Sequence, residues 1–255
     1  MKIAVSGKGG VGKTTLSSLL ARYWARKGYR VLAVDADPDA NLGSALGIDT
    51  TGLVPVAKME ELIEERTGAK PGTVGGFFKL NPKVDDLPEA LSREKDGVKL
   101  LVMGTVKRGG GGCICPESTL LKALVIHLVL YQKDVVIMDM EAGIEHLGRG
   151  TAQGVDRLII VVEPGRRSIE TAAKVRELTQ DIGLNKVAAV GSKVRTSQQE
   201  EFLKQNLDGI PLIGILPFSE EIATADLESR PPSLDDPVIY AAIEKVASAL
   251  ESDGA

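Results

Sequence analysis

Gly7-Lys8-Gly9-Gly10-Val11-Gly12-Lys13-Thr14-Thr15 is the stretch that decides the fold of this 255-residue chain. Its G-x-x-x-x-G-K-T core runs from Gly7 through Gly12 and Lys13 to Thr14. Such a loop wraps a polyphosphate in backbone N–H groups, brings Lys13 to the β/γ-phosphates and offers the Thr14 hydroxyl to Mg²⁺. Gly9, Gly10, Val11 and Thr15 complete the predicted phosphate cradle. The motif requires a strand before it and a helix after it. Lys2 to Ser6 is a short apolar run suited to a buried strand, and Leu16, Leu19, Leu20 and Tyr23 recur at helical spacing. Because Lys13 already serves the phosphates, Lys8 is a second ammonium that is free to point outward, toward a neighbouring subunit.

Working outward, the pattern predicts further strands at 30–35, 98–103, 134–139, 157–162, 187–192 and 212–216, and helices at 15–27, 116–131, 168–182, 198–207 and 237–250. This βαβα rhythm specifies an α/β fold: a doubly wound, mostly parallel sheet of seven or eight strands with helices on both faces. Ligands of such sheets gather beyond the carboxyl ends of the strands, where the motifs fall. A hydrophobic content of 43%, with no repeat or linker, suits one P-loop ATPase domain over residues 1–255. Residues 71–82, rich in Gly and Pro around Phe77-Phe78, read as an edge hairpin or an interface loop.

A net charge of −4 gives no global attraction for nucleic acid or anionic lipid. The chain enters its first strand without a signal-peptide core, no apolar run approaches a bilayer span, and the final helix lacks a membrane-surface pattern. The expectation is a cytoplasmic protein with neither nucleic-acid nor membrane partners. Two cysteines cannot form a disulfide framework, and two histidines exclude a His-rich metal site. His127, inside an apolar helical stretch, is expected to pack.

Two strand ends are acidic. The first reads Asp35-Ala-Asp37-Pro-Asp39-Ala-Asn41, and the second closes the apolar run Val135-Val-Ile-Met-Asp139. A carboxylate beside a terminal phosphate can accept a proton from water or hold it in line. Asp139 has the Walker B form, in which the carboxylate holds Mg²⁺ through water, and Gly143 just after it can present an N–H to a γ-phosphate. An acidic turn capping a helix near Asn41 is the plainer reading of the first cluster.

Gly109-Gly-Gly-Gly-Cys113-Ile-Cys115-Pro116-Glu117 contains both thiols. A tetrahedral Zn²⁺ or thiolate-bound Ni²⁺ takes about four ligands, of which one C-x-C supplies two, so two chains would complete the set. Pro116 at a predicted helix start, with Lys107 and Arg108 nearby, favours thiolate. Inert thiols, a redox pair and half of an iron–sulfur site are the alternatives.

The signature Lys8-Gly-Gly-x-Gly-Lys-Thr-Thr15 resembles the deviant Walker A P-loop NTPases of the SIMIBI type, which include the Min and Par positioning proteins, the nitrogenase iron protein and metal-site maturation ATPases. The resemblance implies a homodimer sandwiching two ATP molecules, with Lys8 crossing to the partner's phosphates as an arginine finger does, an effect worth roughly 10³ to 10⁵ in rate. It further implies catalytic roles for Lys8, Lys13 and Asp37, the last orienting the attacking water. Thr14, Asp35 and Asp139 would serve Mg²⁺, Asn41 and Gly143 the γ-phosphate, and Ser192, Lys193, Pro217 and Phe218 the base side. Relatives carry Asn where this chain has Ser192, and a hydroxyl makes fewer hydrogen bonds than an amide. Arg195 stands where guanine recognition would want an acid, which disfavours GTP, and it is chiefly the resemblance that implies ATP/ADP.

The C-x-C between P-loop and Walker B, with Met138-Asp-Met-Glu-Ala-Gly-Ile-Glu-His-Leu-Gly-Arg-Gly150, is similar to the CooC-type nickel-insertion accessory ATPases of carbon monoxide dehydrogenase, and to the related factor for acetyl-CoA synthase. That likeness implies one Ni²⁺ per dimer, with Zn²⁺ able to take its place, on Cys113 and Cys115 of both chains. A Min/Par-type positioning switch and an ATP-driven iron–sulfur electron donor are the competing expectations. The iron protein's two widely separated cluster cysteines are absent from this sequence.

Overall fold

The computed structural model describes residues 1–73, 77–105, 115–141, 143, 144 and 147–252. In chain order, the first elements are β1 (Lys2–Gly7), α1 (Lys13–Arg26), β2 (Val31–Ala36), α2 (Leu42–Leu46), α3 (Glu60–Thr67), α4 (Leu87–Leu91), β3 (Arg93–Lys95) and β4 (Val98–Val102). They are followed by α5 (Pro116–Leu130), β5 (Val135–Met140), α6 (Arg149–Ala152), β6 (Arg157–Val162), α7 (Arg166–Asp181) and β7 (Val187–Val194). The last are α8 (Ser197–Asn206), β8 (Leu212–Pro217), α9 (Glu220–Leu227) and α10 (Pro237–Ser252).

The strands form one eight-stranded sheet in the order β3-β4-β2-β5-β1-β6-β7-β8. Every pairing is parallel except β3 with β4. The central strands are buried on both faces, which is why they read as near-continuous apolar runs such as Val31–Ala36 and Val135–Met140. Leu16, Leu20 and Trp24 of α1 pack on one face with Ile239 and Ile243 of α10. Ile63 of α3, Leu120, Leu124 and Leu128 of α5, Val175 of α7 and Leu203 of α8 cover the other. Burying each such side chain stabilises the fold by about 1.5–3 kcal/mol before entropy is counted. Trp24 also satisfies its indole N–H on Glu251 at 2.8 Å, tying the two helices of the first face together.

Among the described residues an edge hairpin is present, but not in 71–82: the residues described there, 71–73 and 77–82, form no strand, and Phe77 is fully exposed. It is β3 turning into β4 through Asp96 (φ 51°) and Gly97 (φ 79°). Two consecutive positive φ values make the tight turn whose twist matches paired strands, and Asp-Gly is suited to it. Charged Arg93, Glu94 and Lys95 make this a short edge that resists pairing with another sheet. His127 is half-buried, with its ring 6.0 Å from that of Tyr131. Among the described residues, no helix is long and apolar enough to cross a membrane.

Candidate nucleotide site

The loop between β1 and α1 turns on glycines at positive φ: Gly7 (145°), Gly10 (76°) and Gly12 (99°). A side chain at Gly7 would bring its Cβ to 2.5 Å from the Val161 carbonyl of β6, so the loop passes against that strand's backbone. Gly12 immediately precedes α1, whose first-turn N–H groups and dipole favour an anion. Lys13 is only 8% exposed, and its Nζ leans back over the loop, 3.5 Å from the Lys8 carbonyl.

Two buried carboxylates meet at the carboxyl edge of the sheet, because register pairs Asp35 of β2 with Asp139 of β5. Asp139 accepts from Thr14 Oγ1 at 2.6 Å on Oδ2 and from Ser17 Oγ at 3.2 Å on Oδ1. Burial, with the Asp35 charge adding to it, pushes the Asp139 carboxyl up to about 7, against the lowering effect of both hydroxyls and Lys13. Asp35 is pushed up to about 6, chiefly by burial. Its oxygens are engaged by the segment that follows β2: Oδ1 accepts from the Asp37 N–H at 3.3 Å and Oδ2 from the Leu42 N–H at 2.9 Å. Asp35 thus folds the loop that carries Asp37 and Asn41. Asp37 is half-buried, with Oδ1 accepting from the Asp39 N–H at 3.0 Å, and Asn41 is exposed.

Beyond β5, the Gly143 N–H donates to the Glu141 carbonyl at 2.7 Å, while the Gly143 carbonyl accepts from Ser6 Oγ at 2.9 Å. Ser6 also reaches the Glu141 carbonyl at 3.3 Å. The end of β1 therefore pins the segment after β5. Both backbone groups of Gly143 are engaged within the chain, so a γ-phosphate would have to compete with Glu141 for the N–H.

On the other side of β1, Lys8 Nζ lies 3.7 Å from Glu163 Oε1, just after β6. Ser192 of β7 is 3% exposed, and its hydroxyl oxygen lies 3.1 Å from where a Cβ on Gly12 would stand. Lys193, at a positive φ of 56°, donates from Nζ to the Gly10 carbonyl. After β8, the Phe218 N–H binds the Val194 carbonyl at 2.9 Å, and the Arg195 guanidinium stacks 3.4 Å over the Phe218 ring centroid. Pro217 ends β8 beside it.

Cys115 directly precedes α5, is 7% exposed and donates its thiol to Ser118 Oγ at 3.1 Å. The thiol is therefore enclosed, not presented to solvent, at the start of α5. Cys113 and the glycines before it lie outside the described residues. Among the described residues, no cluster of three or more His, Cys, Asp or Glu side chains forms a metal site.

Ser6, Ser17 and Glu163 are members of this site that motif reading misses. Ser17 has a sequence signal, since it lies three residues beyond Thr14 and so shares its helix face. The other two have none, because their partners are brought near only by strand order. The cradle of left-handed glycines, the Lys13 cation and the Thr14–Asp139 pair fit a triphosphate with Mg²⁺.

Fold and site together define a P-loop nucleoside triphosphatase with a doubly wound parallel sheet. Residues 2–232 match the CobQ/CobB/MinD/ParA nucleotide-binding domain family. The chain is 48% identical over 229 residues to the carbon monoxide dehydrogenase accessory protein CooC of Rhodospirillum rubrum, covering 89% of this chain and 87% of that protein. It is 45% identical to an ATP-binding protein of Methanocaldococcus jannaschii over 92% of each. The cell-division ATPase MinD of Pyrococcus furiosus has the same fold, with a TM-score of 0.70 at 22% identity over 98% of each chain. The chain belongs to the CobQ/CobB/MinD/ParA family of P-loop ATPases, as a CooC-type member.

Proposed function

We propose that this chain is an ATP-driven metal-delivery switch: a homodimer that binds one Ni²⁺ as cargo on Cys113 and Cys115 of both subunits and delivers it during maturation of carbon monoxide dehydrogenase. The observation that carries this reading is the position of Cys115 at the start of α5, the helix that leads directly into β5 and its Asp139. A thiol at one end and a nucleotide-site carboxylate at the other belong to one stretch of chain, so a change at the phosphates has a short path to the metal. The likeness to CooC supports the class of client, with acetyl-CoA synthase as the related alternative.

Residues 1–255 act as one P-loop domain in this reading. Thr14 and Asp139 would hold Mg²⁺, which would supply positive charge to offset that of the triphosphate. Asp37 orients the attacking water, and Lys8 crosses to the phosphates of the partner subunit. Four thiolates from two chains suit Ni²⁺, and Zn²⁺ competes for the same donors. Hydrolysis moves the cargo only because the two nucleotide states bind it with different affinity.

The test is metal content and solution mass, measured without oxygen, for wild type and a Cys113→Ser/Cys115→Ser variant supplied with Ni²⁺ and either ADP or ATP. The expected result is one metal per dimer, lost in the variant while ATP hydrolysis persists. No cysteine-dependent nickel would overturn the reading. Iron with sulfide would identify an electron donor, and a metal-free ATP dimer a positioning switch of the Min/Par kind.

A further inference from the structure

Ser17 and Ser18 are both fully buried on α1, yet their hydroxyls do different things. Ser18 Oγ donates to the Thr15 carbonyl at 2.9 Å, the local bond a helical serine ordinarily makes. Ser17 forgoes that option and crosses to β5, donating to Asp139 Oδ1 at 3.2 Å. Thr14, one turn earlier on the same face, donates to the other oxygen, Oδ2, at 2.6 Å.

The two contacts are not redundant. The last torsion of an aspartate is broad and roughly two-fold, so a carboxylate held through one oxygen still swings about its Cβ–Cγ bond. Donors on both oxygens fix its plane. Asp35 cannot supply this constraint: it is itself an anion, and its oxygens are engaged by the N–H groups of Asp37 and Leu42. Lys13 acts on Asp139 as a charge and makes no hydrogen bond to it among the described residues. Thr14 is the residue that meets Mg²⁺, and its lone pair can face the ion while its hydrogen stays on Oδ2. Ser17 has no such second duty.

We propose that Ser17 is a positioning residue of the Mg²⁺ site, a second clamp that sets the plane of the Asp139 carboxylate so that both oxygens face the ion's bound waters correctly. This rests on the reading that Thr14 and Asp139 hold Mg²⁺. Ser17 touches neither metal nor nucleotide, and its effect is confined to how much Mg²⁺ the site requires.

The test is a Mg²⁺ titration of a fluorescent ATP analogue bound to the full-length protein, with thermal melting recorded on the same samples. Ser17→Ala is expected to raise the Mg²⁺ concentration at half-saturation by about tenfold or more, the scale of one hydrogen bond to a charged group. Analogue affinity in EDTA should be unchanged, and Ser17→Thr, which keeps the hydroxyl, should restore wild-type behaviour. Ser18→Ala removes an equivalent hydroxyl from the same helix and should leave the Mg²⁺ requirement alone. A Ser17→Ala variant that melts earlier but titrates like wild type would overturn the proposal, as would an equal effect of Ser18→Ala. Wild-type binding that ignores Mg²⁺ altogether would instead remove the underlying metal assignment, and the proposal with it.

Discussion

Lys8 and Glu163 of the same chain form an ion pair at 3.7 Å, with side chains 38% and 33% exposed. The lysine that distinguishes this P-loop is therefore engaged at home, by a residue just past the strand on the far side of its own loop. If Lys8 serves a second subunit, the pair must open first. A pair this exposed is worth about 0–1 kcal/mol, so it biases the exchange without blocking it. Glu163→Gln is expected to lower the protein concentration at which ATP drives dimerisation, by up to about fivefold. Light scattering against concentration measures this, and raised salt should narrow the gap between variant and wild type. Unchanged dimerisation in the variant would show that the pair restrains nothing.

The Asp35–Asp139 pair gives a stability with a definite sign. Both carboxyls titrate higher in the folded chain than the ordinary value of 3.8, at about 6 and about 7. Between pH 4 and 7 the folded state therefore holds more protons than the unfolded, and its stability falls as pH rises. Asp139→Asn should be more stable than wild type at pH 8 without nucleotide, by about a few kcal/mol of unfolding free energy, and so melt at a higher temperature, and the difference should vanish near pH 4. The same variant should lose ATP hydrolysis. Melting curves across this range without Mg²⁺ check the first claim, and a wild-type advantage at pH 8 would contradict it.

Gly7→Ala should be severe for a reason unrelated to phosphate. Its Cβ would stand 2.5 Å from the Val161 carbonyl at a φ of 145°, so loop and β6 would have to separate. Expected are a loss of about 1–3 kcal/mol in unfolding free energy and failure to bind nucleotide. Gly9→Ala, where nothing lies within 4 Å, should be mild for stability in the same denaturant titration.

Arg195 over Phe218 offers a flat cationic face, and such a face attracts π systems, a nucleotide base among them, without reading their edges. Arg195→Ala should weaken ATP and GTP by similar factors of about two to ten. Competition binding with the two nucleotides separates this from edge recognition, for which the factors would diverge.

The parallel strands were legible in the sequence because burial on both faces forces unbroken apolar runs, and β1, β2 and β5 leave no other choice. The strand β3 was not, since its three residues are charged and only the Asp96-Gly97 turn marks the hairpin. Short helices such as α2 and α4 contain too few turns to show a period. In the site, the glycines, Lys13, Thr14 and Asp139 follow from local spacing. Ser6, Ser17 and Glu163 depend on contacts made across the sheet: Ser17 meets a residue 122 positions away, and Ser6 one 137 away. Ser17's place on the helix face of Thr14 is visible in the sequence, but its partner, like that of Ser6, is chosen by strand order.

The order of strands around β1 also divides the described site residues between two halves of the sheet. Asp35, Asp139 and Cys115, at the start of the helix that leads into β5, all belong to the β4-β2-β5 flank, whereas Ser192, Lys193, Arg195 and Phe218 belong to the β7-β8 flank. The paired carboxylates and Cys115 therefore share one half, and the Arg195–Phe218 stack occupies the other. β1, which carries the P-loop at its end, is the border that both halves share.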